Sequence, residues 1–268
     1  MASPVLPDDL WRRLEPWIPK PKEYRHVQFA GRKPTEPRRV LAGILFVLRT
    51  GIPWRWLPAT SDFPCGQTCR RHLRQWQKAG VWQNIFESLL AELQATHKID
   101  WYRALVDSAS VRAPCGGAKT GPNPTDRRKL GSKHHVLTDA NGIPLAIILT
   151  EANRHDVTQL LPLLDKIPRV KGKRGAPRCR PDHVQGDRAY DSEPHRKAIK
   201  KKGIKPILAK RRTAHGSGLG KTRWYVERTL SWLHQFRKLK MREEKHPCTH
   251  EALMLVACSV ICYRFLSC

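Results

Sequence analysis

Two short apolar runs near the middle of the chain each lead into an aspartate, and this repeated feature constrains the fold more than any other. Residues 104–106 precede Asp107, and residues 183–186 precede Asp187. Short apolar runs that end at polar or glycine-containing steps are typical of buried strands. Two such strands, followed by a helix that carries a third acid, could bring three carboxylates to one point.

The third acid is Glu227, in a segment that reads as one helix over residues 221–238. Val226, Leu230 and Leu233 recur at helical spacing and form an apolar stripe. A second stripe at the same spacing is polar and consists of Arg223, Glu227, Ser231, His234 and Lys238. A carboxylate among cations on such a stripe is most often an ordinary solvated residue. The alternative is that Glu227 joins the two aspartates.

The segments around these acids resemble the DDE transposases of bacterial insertion sequences, in particular the group named for insertion sequence five. The resemblance is carried by residues 106–108, 186–191 and 223–229, and residues 50–58 are similar to the N-terminal region of that group. It therefore covers essentially the whole chain. A related Tyr-x2-Arg-x3-Glu-x6-Lys pattern is half kept: Arg223 stands four residues before Glu227, but Gly220 and His234 occupy the Tyr and Lys places.

The resemblance implies an α/β fold, with a ribonuclease-H-like catalytic domain over residues 99–268 and a small all-α helical domain before it over residues 1–98. The first acid is then expected on the central strand, the second at the end of the fourth strand, and the Glu on the following helix. Hydrophobic patterning predicts a mixed five-stranded sheet flanked by helices. The strands are expected at 102–111, 133–139, 143–150, 183–186 and 204–208, and the flanking helices at 156–167, 191–202, 221–238 and 251–266.

The N-terminal region is predicted to hold four short helices, over residues 7–18, 37–50, 67–79 and 81–93. The third carries a basic row on the side opposite its apolar residues, formed by Arg70, Arg71, Arg74 and Lys78. Such a row is compatible with a solvated face. It is equally compatible with the recognition helix of a helix-turn-helix-like DNA-binding unit.

The charge of the chain favours a polyanionic partner. Fifty Lys and Arg residues against 23 Asp and Glu give a formal charge of +27, and the excess is spread over both halves. Nucleic acid is the leading candidate and an anionic membrane surface the second. The apolar run near the C-terminus, residues 252–263, is too short to span a bilayer, so a buried helix and no membrane partner are expected.

Three clustered carboxylates repel one another, and a divalent cation reverses that cost. Mg²⁺ or Mn²⁺, as two ions about 4 Å apart, could activate a nucleophile and stabilise the leaving oxygen in a displacement at phosphorus. The resemblance implies this role for Asp107, Asp187 and Glu227, as catalytic and metal-binding residues. It further implies cleavage at the ends of the chain's own insertion element and joining of the freed 3′-hydroxyl to target DNA. The expected phosphate contacts are Arg188, Arg223, Arg228, Lys238, Lys133 and His135, for each of which general surface basicity is the alternative.

Two other functions stay open at this stage. One is a nuclease of the same fold that only hydrolyses DNA, and the other is a non-catalytic DNA-binding protein. The presence of all three acids counts against the second. The resemblance implies a homo-oligomer acting on paired terminal inverted repeats. The first twenty residues have no apolar signal region, so the eight cysteines are expected as reduced thiols in a cytoplasmic, nucleoid-associated protein.

Overall fold

The N-terminal region of the protein is helical, as its patterning predicts. The structure, a computed structural model, describes residues 5–20, 34–210 and 220–267. Helix α1 spans Asp8–Leu14 and continues into a single 3-10 turn; α2 spans Pro37–Thr50, α3 Gly66–Lys78 and α4 Val81–Ala95. Helix α2 begins after Glu36, and Pro37 suits its first turn. It ends at Gly51, whose φ of 75° gives the left-handed stop.

A close backbone approach fixes the start of α3. A 3-10 turn at Trp54–Trp56 packs against the start of α3. A Cβ on Gly66 would lie 1.7 Å from the carbonyl oxygen of Trp54, so only glycine allows this contact. Trp54 is buried in this contact and anchors the loop. Trp56, in the same 3-10 turn, is 64% exposed.

The described residues form six strands in one mixed sheet. They are β1 (Arg103–Arg112), β2 (Gly121–Pro122), β3 (Leu130–Thr138), β4 (Pro144–Glu151), β5 (His183–Gly186) and β6 (Lys205–Leu208). Strands β1, β3 and β4 pair antiparallel, and β5 and β6 continue from β1 in parallel. The sixth strand, β2, is a two-residue pairing with β3 and lies outside the five predicted strands.

The strand order confirms the expected fold. The path through the five longer strands is β4-β3-β1-β5-β6, with the first strand in the centre, an antiparallel hairpin on one side and two parallel strands on the other. This order is the one that the ribonuclease-H-like fold requires. The hairpin turns through Gly142, whose φ is 88°, as the Asn-Gly step predicts.

Helices cover both faces of this sheet. They are α5 (Val157–Asp165), α6 (Glu193–Lys201), α7 (Gly220–Gln235), α8 (Arg237–Lys240) and α9 (Pro247–Ser267). Successive strand residues point to opposite faces: Asp107 of β1 contacts α7, and Ser108 contacts the residue before α5. The helix predicted over 221–238 is divided, because Phe236 adopts an extended conformation with ψ of 98° between α7 and α8.

Helix α9 is a core helix. It packs against α3, α4, α7 and β4, and one continuous cluster of buried apolar side chains joins the N-terminal helices to the sheet through it. Within the described residues it is long and apolar enough to cross a membrane, yet 72% of its most apolar window is buried inside the protein. The expectation of a buried helix is confirmed. The glycine-rich basic loop predicted before α7 falls mainly on residues 211–219, which lie outside the described residues.

Candidate active site

Two aspartates meet where the parallel strands of the sheet end. Asp107 lies on β1, two residues beyond the last position at which β5 pairs with that strand. Asp187 follows β5 directly, and its Oδ1 accepts a hydrogen bond from the Ala189 amide at 2.9 Å. Because β1 and β5 run in the same direction, their carboxyl ends lie at one edge of the sheet, where sites of α/β proteins commonly form. The two predicted strands thus deliver both acids to one place.

Glu227 approaches the same edge from α7. This helix buries Val226, Leu230 and Leu233 against the sheet, as the apolar stripe predicts. The Glu227 side chain is 54% exposed. It is therefore a solvated residue and at the same time a neighbour of the two aspartates.

One guanidinium group joins the three acids. Arg223 Nη2 donates a hydrogen bond to Asp107 Oδ2 at 3.3 Å. Its Nη1 lies 3.4 Å from Asp187 Oδ2, and its Nε lies 3.0 Å from Glu227 Oε1. Arg223 precedes Glu227 by one helical turn, so α7 itself supplies both the cation and the third carboxylate. Asp107, Asp187 and Glu227 are thus gathered around a single positive charge.

Among the three acids, Asp107 has a clearly shifted pKa. Burial raises the pKa of this carboxyl to about 6, against the lowering effects of Arg223 and of the Ser108 amide. The nearby charge of Asp187 raises this pKa further. The Ser108 amide donates to Asp107 Oδ1 at 2.8 Å, which fixes the orientation of the group. A cation close to Asp107 therefore stabilises its ionised form.

The donor set fits a hard divalent cation. Three carboxylates offer the oxygen ligands that Mg²⁺ and Mn²⁺ prefer, and here they already surround a stand-in cation, the Arg223 guanidinium. Within the described ranges, no set of three His, Cys, Asp or Glu side chains is drawn together tightly enough to coordinate a metal directly. The carboxylates would have to close in on an incoming ion.

A fourth carboxylate lies behind Asp107, and sequence reasoning missed its role. Asp156, expected only as the start of a helix, accepts hydrogen bonds at Oδ1 from Ser108 Oγ at 2.8 Å and from Lys133 Nζ at 3.0 Å. The buried Tyr190 hydroxyl lies close by, and its pKa is raised well above the usual value by burial and then by Asp156, Asp107 and Asp187. No spacing or motif in the sequence signals this contact between β1, β3 and α5.

Two of the expected phosphate contacts are corrected by the structure. His135 is fully buried on β3, and its Nε2 lies 2.8 Å from Thr150 Oγ1. The Lys238 side chain is only 3% exposed, and its Nζ donates to Glu243 at 2.5 Å. The extended Phe236 turns α8 inward, which removes Lys238 from the polar stripe of α7. Neither side chain is positioned to meet DNA.

The remaining basic candidates of the sheet region stay nearer the surface. Arg228 stacks between the rings of Trp224 and Trp232, at 4.6 and 4.5 Å from their centroids, and donates to the Asn141 carbonyl at 2.6 Å. This guanidinium ties α7 to the hairpin turn. Lys133 is held by Asp156, and Arg188 is half-buried in the turn after Asp187.

The four basic residues of α3 lie in different environments. Arg71 and Lys78 are exposed and Arg74 is half-buried. Arg70 instead pairs at 2.9 Å with Glu244, which also accepts from Trp54 Nε1 at 2.7 Å. Glu244 is buried, although its segment is rich in charged residues. A shallow cavity of about 220 Å³ runs along the row, lined by Gln67, Arg70, Arg71, Arg74, Gln75 and Lys78.

The fold and the acid cluster together define the class of the protein, and comparison with known families agrees. Residues 6–86 match a family described as putative transposase of the IS4/5 family, and residues 102–262 match the transposase DDE domain. The chain belongs to the DDE transposases. Domains of this family use divalent metal ions.

Two relatives come from Burkholderia cepacia. A putative transposase for insertion sequence element IS402 is 60% identical over 164 residues, which is 61% of this chain and 76% of that protein. An IS402 uncharacterized 16.2 kDa protein is 50% identical over 124 residues, 46% of this chain and 84% of that protein. The Mos1 strand transfer complex covers 81% of this chain and 80% of its own at 10% identity, with a TM-score of 0.27. The fold assignment stands on the strand order, not on that last likeness.

Proposed function

We propose that this transposase binds the terminal inverted repeats of its own insertion sequence and catalyses metal-dependent DNA strand cleavage and strand transfer. The observation that carries the proposal is the meeting of Asp107, Asp187 and Glu227 around one cation at the edge of a ribonuclease-H-like sheet. In-line displacement at phosphorus needs this kind of acidic centre and no covalent enzyme intermediate.

The three carboxylates differ in how firmly the structure holds them. Asp107 is held by β1 and by the Ser108 amide, and Asp187 by the turn after β5, so the backbone orients both carboxylates before a substrate arrives. Glu227 is exposed on α7 and can adjust. When bound, two Mg²⁺ or Mn²⁺ ions would activate the attacking oxygen and stabilise the leaving oxygen. The protein contributes the carboxylates that hold those ions and the cations that orient the DNA backbone.

Charge supports DNA as the partner of both regions. We propose that residues 1–98 form a helical DNA-binding domain that uses Arg71, Arg74 and Lys78, and that residues 99–268 form the catalytic domain. In the latter, Arg188 and Arg223 are the proposed phosphate contacts. The formal charge of +27 suits a polyanion over this whole surface. The protein is proposed to act as a homo-oligomer that binds two element ends together with target DNA. Its proposed location is the cytoplasm, in association with the nucleoid.

Cleavage of a duplex that carries the element's end tests the proposal. The intact protein should nick this DNA with Mg²⁺ and not with EDTA. Glu227→Gln should lose nicking and keep DNA binding. Glu193→Gln is the matched control, because Glu193 is an exposed acid of the same region, on α6; it should cut like the intact protein. Equal cutting by Glu227→Gln would refute the proposed site.

The products separate the candidate functions. Strand-transfer products in which the element end is joined to a second duplex identify a transposase. Nicked DNA without joined products identifies a nuclease that only hydrolyses. DNA binding with no metal-dependent cleavage by the intact protein identifies a non-catalytic DNA-binding protein.

A further inference from the structure

We propose that Arg223 is the resident counter-cation of the carboxylate site, and that its guanidinium and a divalent metal ion occupy this site alternately. The inference rests on the proposed function, because it concerns the same three carboxylates. It assigns to Arg223 a role in controlling metal occupancy, in addition to the phosphate contact proposed above.

The contacts of Arg223 involve one nitrogen for each acid. Nη2 faces Asp107 Oδ2 at 3.3 Å, Nη1 faces Asp187 Oδ2 at 3.4 Å, and Nε faces Glu227 Oε1 at 3.0 Å. The planar guanidinium therefore has a carboxylate on each side and lies at the centre of the cluster. A surface arginine that paired only with the acid one turn away would contact Glu227 alone.

A metal ion needs the same oxygen atoms. Mg²⁺ and Mn²⁺ bind carboxylate oxygens at about 2 Å, which requires the three side chains to draw closer than they stand around the guanidinium. Two cations at one centre would also repel each other. The guanidinium must therefore leave before the carboxylates can close on a metal ion.

Arg223 is able to leave. Its side chain is 39% exposed, so it has a route to solvent that the buried Lys238 and Arg242 lack. The helix beneath it is anchored independently by Val226 and Leu233, which are buried. A displaced Arg223 remains one helical turn from Glu227, within reach of a phosphate bound at the metal site. The same side chain can thus balance the carboxylates without metal and contact DNA with metal.

The test is a calorimetric titration of the full-length chain with Mn²⁺ in the absence of DNA. Arg223→Gln removes the competing charge and should bind Mn²⁺ about tenfold more tightly than the intact protein, because three partly exposed ion pairs no longer have to be broken. Arg178→Gln is the matched control. Arg178 is an exposed arginine paired with one acid, Asp182, so its loss changes the net charge equally and should leave Mn²⁺ affinity unchanged.

Thermal unfolding gives a second measurement that is independent of catalysis. In EDTA, Arg223→Gln should unfold at a lower temperature than the intact protein, because three neighbouring carboxylates are left without their counter-cation. Saturating Mn²⁺ should raise the unfolding temperature of Arg223→Gln by more than that of the intact protein.

The outcomes separate this inference from the proposed function. Equal or weaker Mn²⁺ binding by Arg223→Gln overturns the inference, while the proposed function still stands if Glu227→Gln abolishes cleavage. Absence of Mn²⁺ binding in both proteins overturns the inference and also the metal site on which the proposed function depends. Binding by Arg223→Gln that exceeds binding by the intact protein supports both.

Discussion

Arg242 is a buried cation on which the packing of the C-terminal segment depends, and its replacement by Met is the sharpest stability test. The side chain is completely buried. Within the described part of the chain, no carboxylate lies within ion-pair distance of it. Its guanidinium donates instead to the carbonyls of Glu244, Lys119, Ala118 and Lys245 and to Ser132 Oγ, at distances of 2.7 to 3.2 Å. One side chain therefore holds the loop after β1, the start of β3 and the segment before α9 together.

The magnitude follows from these hydrogen bonds. A hydrogen bond to a charged group contributes about 1.5–3 kcal/mol, and the values are not additive within one group. Removing the guanidinium also leaves buried acceptors such as Ser132 Oγ without their donor, and each buried polar group left unsatisfied costs about 1–3 kcal/mol. Met keeps most of the apolar stem of Arg242, so the loss of packing is small. We expect Arg242→Met to lower the free energy of unfolding by about 3–5 kcal/mol, a large share of the about 5–15 kcal/mol that stabilises a typical protein.

Urea unfolding followed by circular dichroism measures this difference. Arg112→Met is the matched control: Arg112 lies opposite Met241 in an isolated bridge, but its side chain is 53% exposed and pairs with Asp126. Because exposed ion pairs contribute about 0–1 kcal/mol, this control should shift the transition little. A loss below about 1 kcal/mol for Arg242→Met, with an unchanged dependence on urea concentration, would refute the reasoning.

Three further predictions follow from single contacts. Burial lowers the pKa of His250 to about 3, below its usual 6.5. The neutral His250 therefore contributes its full stabilisation above pH 6.5, and the free energy of unfolding should fall by up to about 1.4 kcal/mol per pH unit as the pH drops toward 3. Between pH 7 and 5, the unfolding midpoint of His250→Asn should fall less steeply than that of the intact protein. Gly66→Ala should cost about 2 kcal/mol or more, measured by urea unfolding, because its Cβ would collide with the Trp54 carbonyl. Arg71→Gln should weaken DNA binding and reduce its salt dependence by about one counterion without changing stability. Arg70→Gln should instead lower the unfolding midpoint, because it breaks the pair with buried Glu244. If DNA titrations and thermal melts show the reverse pattern, the assignment of Arg71 to DNA and of Arg70 to packing is wrong.

Local patterning was enough wherever one element buries one face. Helix α2 has the predicted bounds, and β5 has the predicted four residues, because an apolar stripe or run with a clear stop records both limits. The two aspartates each follow a short apolar run typical of a buried strand, and the resemblance to DDE transposases implied their role. Patterning predicted a mixed sheet flanked by helices, and the resemblance implied the ribonuclease-H-like fold and the meeting of these acids.

The segment after α7 could not be predicted in this way. A run rich in Lys, Arg and Glu is normally read as solvated, yet Lys238, Arg242 and Glu244 are all buried. Their charges are tolerated because distant parts of the chain supply hydrogen bonds, such as Trp54 Nε1 for Glu244. His135 was misread for a related reason: β3 is covered on both faces, so the polarity of a residue does not tell which side of the strand meets water.

The helix that carries Glu227 shows why the two sequence interpretations of its polar stripe were not alternatives. Glu227 is more than half exposed, as a solvated face requires, and yet it shares Arg223 with both aspartates. The spacing of four residues accounts only for the contact within α7. The contacts to Asp107 and Asp187 arise because β1 and β5 are neighbours beneath that helix, which is a property of the sheet order and not of the helix. An exposed acid can therefore belong to a reactive centre when a strand pair supplies the rest of it, and exposure alone is no argument against Glu227.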